Sequence, residues 1–147
     1  YNNGSTKYIL LCFTNQQINF INYKDLQIEH IFSKEPNYDL LVYGFDEDYN
    51  IEKNRIGNLC LLEQNLNKGL GNSAPSNKID GYIKSSILST RNIGGEIQQG
   101  NYNKVNVDRR RSEILKFCIE RFKIKFIEQN IVPGSLINNY QEYFDLN

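Results

Sequence analysis

The chain has 147 residues, 39 % of them apolar and 23 % charged, with 17 basic and 17 acidic side chains and a formal net charge of zero. That is the length and composition of one globular domain able to bury a core of its own, and no apolar run approaches the roughly 20 residues that a bilayer crossing needs. The three cysteines, Cys12, Cys60 and Cys118, stand far apart among apolar neighbours; they read as reduced core thiols of a cytoplasmic protein, and without a Cys-x-x-Cys pair no structural zinc is expected. The zero net charge hides an uneven distribution. Residues 1–65 carry five basic and nine acidic side chains, residues 66–127 twelve and five, and the last twenty none and three. A basic centre of this kind suits a phosphate backbone, although a solvated helix face has the same composition.

In chain order, Tyr8 to Phe13 is a continuous apolar run that period alone leaves open between strand and helix. Asn19 to Lys24 is mixed. Leu26-Gln27-Ile28-Glu29-His30-Ile31-Phe32 alternates apolar and polar residues, the signature of a half-buried strand, and it carries the only histidine of the chain. A short helix is expected from about Tyr38 to Tyr43, followed by a loop with the acidic cluster Asp46-Glu47-Asp48, read as solvated charge. Ile56 to Leu62 reads as the second strand or the turn of a hairpin, with Gly57 allowing a tight backbone. Glu63 to Lys68 begins a helix that Gly69 and Gly71 interrupt, and Pro75-Ser76 starts the next. There Ile79, Tyr82, Ile83, Ser86 and Ile87 recur at helical spacing. Gly94 to Asn106 reads as a polar loop. Asp108 then opens a long helix to about Gln129 with Ile114, Leu115, Cys118, Ile119, Phe122 and Phe126 as its core stripe, and the tail from Ser135 closes the chain.

Neighbouring side chains on a strand point to opposite faces, so Glu29 and His30 serve one site only where the strand ends or bends at a rim. Downstream, RIGNLCLLEQNLNKGLGN over residues 55–72 places Asn58 28 residues after His30 and Asn67 nine residues after Asn58. The order Glu-His, Gly-Asn-Leu, Asn-Lys-Gly resembles the HNH, or His-Me finger, endonucleases. More narrowly, EHIF, RIGNLCLLE, LNKGLGN, Lys78 and YIKSSILSTR are similar to the C-terminal nuclease domain of GmrSD-type, modification-dependent restriction enzymes, over about residues 7–122.

The resemblance implies an α+β fold with a ββα-metal core of hairpin and helix, over about residues 20–92, surrounded by further helices that include C-terminal ones over about 107–147. It favours a helix for Tyr8 to Phe13. It implies a divalent-metal-dependent DNA endonuclease of a restriction or phage-defence system, with His30 as general base and Asn58 bracing the hairpin and orienting the ring. Glu29 and Asn67 would hold one Mg²⁺ or Mn²⁺, the hard-oxygen donors such ions prefer. Asn65 competes with Asn67, which the nine-residue step and the following Lys-Gly favour. Lys68, Asn72 and Lys78 fall on matching positions for phosphate contacts. Arg91 and one of Arg109, Arg110 and Arg111 are further candidates. The chain starts at Tyr1 rather than methionine and is expected to be the C-terminal part of something longer, with a nucleotide-binding or sensor domain before it, and two strand breaks from a one-metal site need either two copies, as in a homodimer, or two visits. The competing classes are a catalytically idle nucleic-acid-binding or scaffold module and an RNA-directed nuclease.

Overall fold

A computed structural model describes residues 3–14, 23–46, 48–100 and 102–124. The architecture is mixed α and β: a two-stranded antiparallel sheet with helices on both faces. Strand β1 (Leu26–His30) pairs with β2 (Leu59–Glu63), Glu29 opposite Cys60 and His30 opposite Leu59. The two strands differ because their surroundings do. In β2 the residues Leu59, Cys60, Leu61 and Leu62 are all buried, so that it reads as a continuous apolar run. In β1 only Leu26 and Glu29 are buried, while Gln27, Ile28 and His30 are half-buried.

Each face of the sheet carries a core. On one, Leu26, Leu59 and Leu61 pack with Leu10 of helix α1 (Asn3–Thr14), with Ile114 and Cys118 of helix α6 (Lys104–Phe122), and with Ile56 and Ile87. On the other, Cys60 and Leu62 pack with Ile31, Phe32 and Leu70, with Tyr82 of α4 (Ile79–Ile83), with Ile93 and Ile97 of α5 (Leu88–Gln98), and with Tyr102 and Val107. Burial pushes the Cys60 thiol up to about 12 and the Cys118 thiol up to about 11, which keeps both protonated and inert. The helix expected at Tyr8 to Phe13 is α1.

Several expected boundaries shift. Tyr38 to Tyr43 forms only a 3₁₀ turn, Leu41–Tyr43, and the loop beyond it contains a four-residue helix, α2 (Tyr49–Glu52). The second strand starts at Leu59, after a 3₁₀ turn over Ile56–Asn58. The helix expected from Glu63 is the short α3 (Gln64–Asn67). The helix expected from Pro75 is a 3₁₀ turn, Pro75–Lys78, leading into α4.

The polar loop expected from Gly94 is instead the second half of α5. Gly94 is a packing device there: a Cβ on it would lie 2.9 Å from the Tyr82 Cβ and 3.2 Å from the Ile83 backbone nitrogen, so α4 and α5 approach at the distance only glycine permits. Helix α6 opens four residues before Asp108. Asn103 is its cap, accepting from the Val105 N–H in a capping box with Asn106. It ends at Phe122, with Lys123 in the left-handed region. The expected run to Gln129, Phe126, the tail from Ser135, Glu47 and most of 19–24 lie outside the described residues.

Gly57 is needed for a second close approach. A Cβ there would stand 2.2 Å from the Val107 carbonyl oxygen and 2.8 Å from the Arg111 Cβ. Helix α6 is thus clamped against the turn that feeds β2. Gly57→Ala is expected to destabilise the fold by about 2 kcal/mol or more, as overpacking does, read as a lower urea midpoint with an unchanged slope.

Candidate active site

The end of β1 is held by the side chain of Asn58, which is 1 % exposed. Its Oδ1 accepts from the Phe32 N–H at 2.8 Å, and its Nδ2 donates to the Phe32 carbonyl and the Lys53 carbonyl, each at 2.9 Å. The Ile31 N–H donates to the Asn58 carbonyl at 2.9 Å. By the alternation of an antiparallel ladder, residues 27, 29 and 31 therefore turn their backbone groups to β2, and Leu26, Ile28 and His30 turn theirs to the open edge. The segment after His30 is also fixed: Ser33 N–H donates to Tyr38 Oη at 2.9 Å, Ser33 Oγ to the Ser73 carbonyl at 2.8 Å, and Tyr49 Oη to the Ser33 carbonyl at 2.7 Å.

His30 sits at the last position of β1 beside a cavity of about 690 Å³ that runs along the open edge, lined also by Gln27, Lys7, Lys34 and Asn54. Its Nε2 lies 3.2 Å from Asn54 Oδ1. An amide oxygen only accepts, so in the tautomer that makes this bond Nε2 carries the proton and Nδ1 keeps its lone pair. Burial first, then the positive charges of Lys78, Lys34 and Lys53, hold the imidazole pKa below its ordinary 6.5, against the opposing bond to Asn54. The ring is neutral at neutral pH.

Glu29 projects from the opposite face and is 8 % exposed. Lys78, 1 % exposed, donates from Nζ to Glu29 Oε1 at 2.7 Å and to the His30 carbonyl at 2.7 Å. Tyr82 Oη is 3.3 Å from the same Oε1. Desolvation nevertheless wins: burial raises the Glu29 pKa above its ordinary value, more than the charge and hydrogen bond of Lys78, the Tyr82 hydroxyl and the His30 N–H lower it. Asn67, at the end of α3, donates from Nδ2 to Gln27 Oε1 at 2.9 Å. Gln27 and Glu29 share a strand face, so Asn67 reaches the side on which the carboxylate projects.

A carboxylate and an amide oxygen are the donor types that a hard divalent cation prefers. Lys78 and Tyr82 both contact Oε1, which leaves Glu29 Oε2, and Asn67 spends its amide nitrogen, which leaves Oδ1. Two oxygens suffice for an ion that keeps most of its waters. Among the described residues no three His, Cys, Asp or Glu side chains gather into a cluster that could hold a metal, and Asp46 and Asp48 of the acidic loop are exposed.

The other expected residues divide by burial. Lys68 and Asn72 are exposed, in the turns after α3. Lys78 lies inside, on Glu29, rather than at the surface. Arg91 is half-buried and donates to the Ser85 carbonyl at 2.7 Å. Arg109 is exposed and pairs with Glu96 at 2.7 Å. Arg110 and Arg111 are buried; Arg111 stands behind Gly57 with Asp108 at 3.7 Å, and Arg110 lies over the Phe13 ring. Asn54, Tyr82 and Gln27 were not singled out from the sequence. Asn54 owes its place to a tertiary link, because Asn58 fixes the carbonyl of Lys53 immediately before it.

The family model described as GmrSD restriction endonucleases, C-terminal domain, matches residues 1–117. No curated protein and no solved structure matches the chain. Among the described residues no helix is long and apolar enough to cross a membrane.

Replacing Lys78 by methionine leaves the Glu29 charge buried without its cation, which costs about 3–5 kcal/mol at neutral pH. A carboxyl pKa raised in the folded state means that the folded chain binds the extra proton first. Stability lost in Lys78→Met is therefore recovered as the pH falls toward the unfolded value near 4.5. Urea denaturation between pH 8 and 5 measures this, and the double variant Glu29→Gln, Lys78→Met removes the slope.

Proposed function

Because this chain belongs to the GmrSD restriction endonuclease C-terminal domain family, we propose that it is a nuclease domain of a restriction system that hydrolyses DNA phosphodiester bonds in the HNH manner. The observation that carries the reading is a neutral imidazole, His30, fixed on a rigid strand end at the mouth of a cavity of about 690 Å³. His30 Nδ1 accepts the proton of the attacking water. Asn54 holds the ring in the tautomer that makes this possible, and Asn58 holds the backbone on which both stand. A Mg²⁺ or Mn²⁺ ion, when bound, supplies Lewis-acid stabilisation of the charge that develops on the phosphate and the departing 3′ oxygen. Glu29 Oε2 and Asn67 Oδ1 would hold it, completing a site of the ββα-metal kind.

Lys34 at the cavity rim, with Lys68 and Asn72 beyond α3, would meet the phosphate backbone, and Arg109 would do so from α6. Buried Lys78 acts from behind: its charge and hydrogen bond lower the Glu29 pKa against the larger effect of burial, and its charge depresses the His30 pKa. One observation favours a second reading. Lys78 already neutralises the only carboxylate proposed to hold the metal, as it would in a scaffold module that binds nucleic acid without cutting. Incubating plasmid and an RNA of equal length with Mg²⁺, Mn²⁺ or EDTA separates the readings. The nuclease nicks DNA only with metal; binding without cleavage under every metal selects the scaffold, and cleavage of RNA alone selects an RNA nuclease.

His30→Ala is expected to lower the nicking rate at least 100-fold, the span of general-base catalysis, and Asn67→Ala to demand more metal for half-maximal rate. Since the base works deprotonated, the rate climbs with pH and reaches half its plateau below 6.5. A plateau reached only above pH 7 would assign the base to another group.

A further inference from the structure

Lys78 is 1 % exposed, and its Nζ donates to Glu29 Oε1 and to the His30 carbonyl, each at 2.7 Å, while Tyr82 Oη stands 3.3 Å from the same carboxylate oxygen. Glu29 Oε2 is engaged by neither. Unlike Glu52 Oε2 it is not sealed from solvent, in a side chain that is 10 % exposed. Among the described residues no group of three His, Cys, Asp or Glu side chains gathers to share a cation. One carboxylate therefore has two claimants: a resident ammonium on one oxygen, and a cation from solution on the other.

Their charges decide how the two compete. An ionised Glu29 and the Lys78 ammonium sum to zero, and Asn67 and Tyr82 add no charge. A divalent cation arriving at Oε2 thus meets a pair with no net attraction and an ammonium that repels it, in surroundings where poor solvation enlarges such effects. Lys78 cannot yield its place without leaving its own charge buried and unpaired. A phosphodiester alters the balance, because it brings the negative charge that the pair lacks. We propose that Lys78 makes the metal affinity of this site conditional on substrate: weak in the free domain, strong once a phosphate backbone lies across it. This role rests on the reading of Glu29 and Asn67 as the residues that hold the ion. An idle scaffold and a conditional site share the same ion pair in the free domain, and they part only when DNA is present.

Mn²⁺ binding, read from the free-ion signal by electron paramagnetic resonance, tests it in the whole chain carrying His30→Ala, which leaves Glu29, Asn67 and Lys78 in place and spares the DNA. A short duplex is added or omitted, and the same titrations with a further Glu29→Gln substitution subtract the ions that DNA collects by itself. The duplex is expected to tighten Mn²⁺ binding at least about tenfold, and Mn²⁺ to tighten duplex binding by the same factor, read by fluorescence anisotropy. Lys78→Met should tighten Mn²⁺ binding to the DNA-free chain at least about tenfold and shrink the effect of the duplex. Where Lys78→Met unfolds the metal-free chain, Mn²⁺ should restore its native circular dichroism; a chain that stays unfolded at every Mn²⁺ concentration overturns the proposal. Equal Mn²⁺ affinity with and without the duplex, or Lys78→Met binding Mn²⁺ no tighter than the lysine form, overturns it and leaves the nuclease reading standing. Mn²⁺ that binds neither with nor without DNA overturns both.

Discussion

The amide of Asn58 is the constraint on which the candidate site depends. One side chain satisfies both backbone groups of Phe32 and the carbonyl of Lys53, so it ties the exit of β1 to the loop that enters β2. The two Phe32 groups are buried, and leaving either without a partner costs about 1–3 kcal/mol. The consequence for chemistry is indirect but complete. With Phe32 fixed, His30 cannot swing away from the strand end; with Lys53 fixed, Asn54 stands within reach of the imidazole. A ring ordered in this way loses no orientation when it has to accept a proton.

Charge around the hairpin is arranged with similar economy. Glu29 and Lys78 form a buried pair, a motif that seldom stabilises a fold beyond what an apolar pair would. Its persistence here makes sense through the neighbours. The same ammonium bonds the His30 carbonyl, anchoring the open edge of β1, and its field adds to those of Lys34 and Lys53 in keeping the imidazole neutral. Lysines along an edge strand also discourage pairing with another chain. Lys34 belongs to both sets: it stands at the cavity rim, where a phosphate backbone would pass, and its field helps to keep the imidazole neutral.

What the sequence disclosed follows from which signals are local. The helical reading of Tyr8–Phe13 and the stripe through Ile114 and Cys118 survive because the faces they describe are buried; in Leu26–His30 the strand is present but burial does not alternate, since Ile28 is half-buried and Glu29 is buried. The second half of α5 was misread because Gly94-Gly95 has a loop-like composition, while the reason for glycine, contact with Tyr82 and Ile83, lies 11 to 12 residues away in the chain and exists only once α4 is folded. Burial of Lys78, Arg110 and Arg111 was equally invisible: a charged residue reads as surface until its partners are known. Glu29, Asn58 and Asn67 lie at the hairpin, with Glu29 and His30 on opposite faces of β1. Asn54 carried no signal, since its contact with His30 spans 24 residues and is created by the Asn58 clamp.

The account stands or falls on the state of one imidazole. With a single histidine in the chain, the ring gives one set of carbon- and nitrogen-bound signals, and an NMR titration reads its pKa and its tautomer together. A midpoint below 6.5 with the proton on Nε2 is the result that burial, three lysines and the Asn54 oxygen dictate. A midpoint at or above 6.5, or a neutral ring protonated on Nδ1, would contradict it.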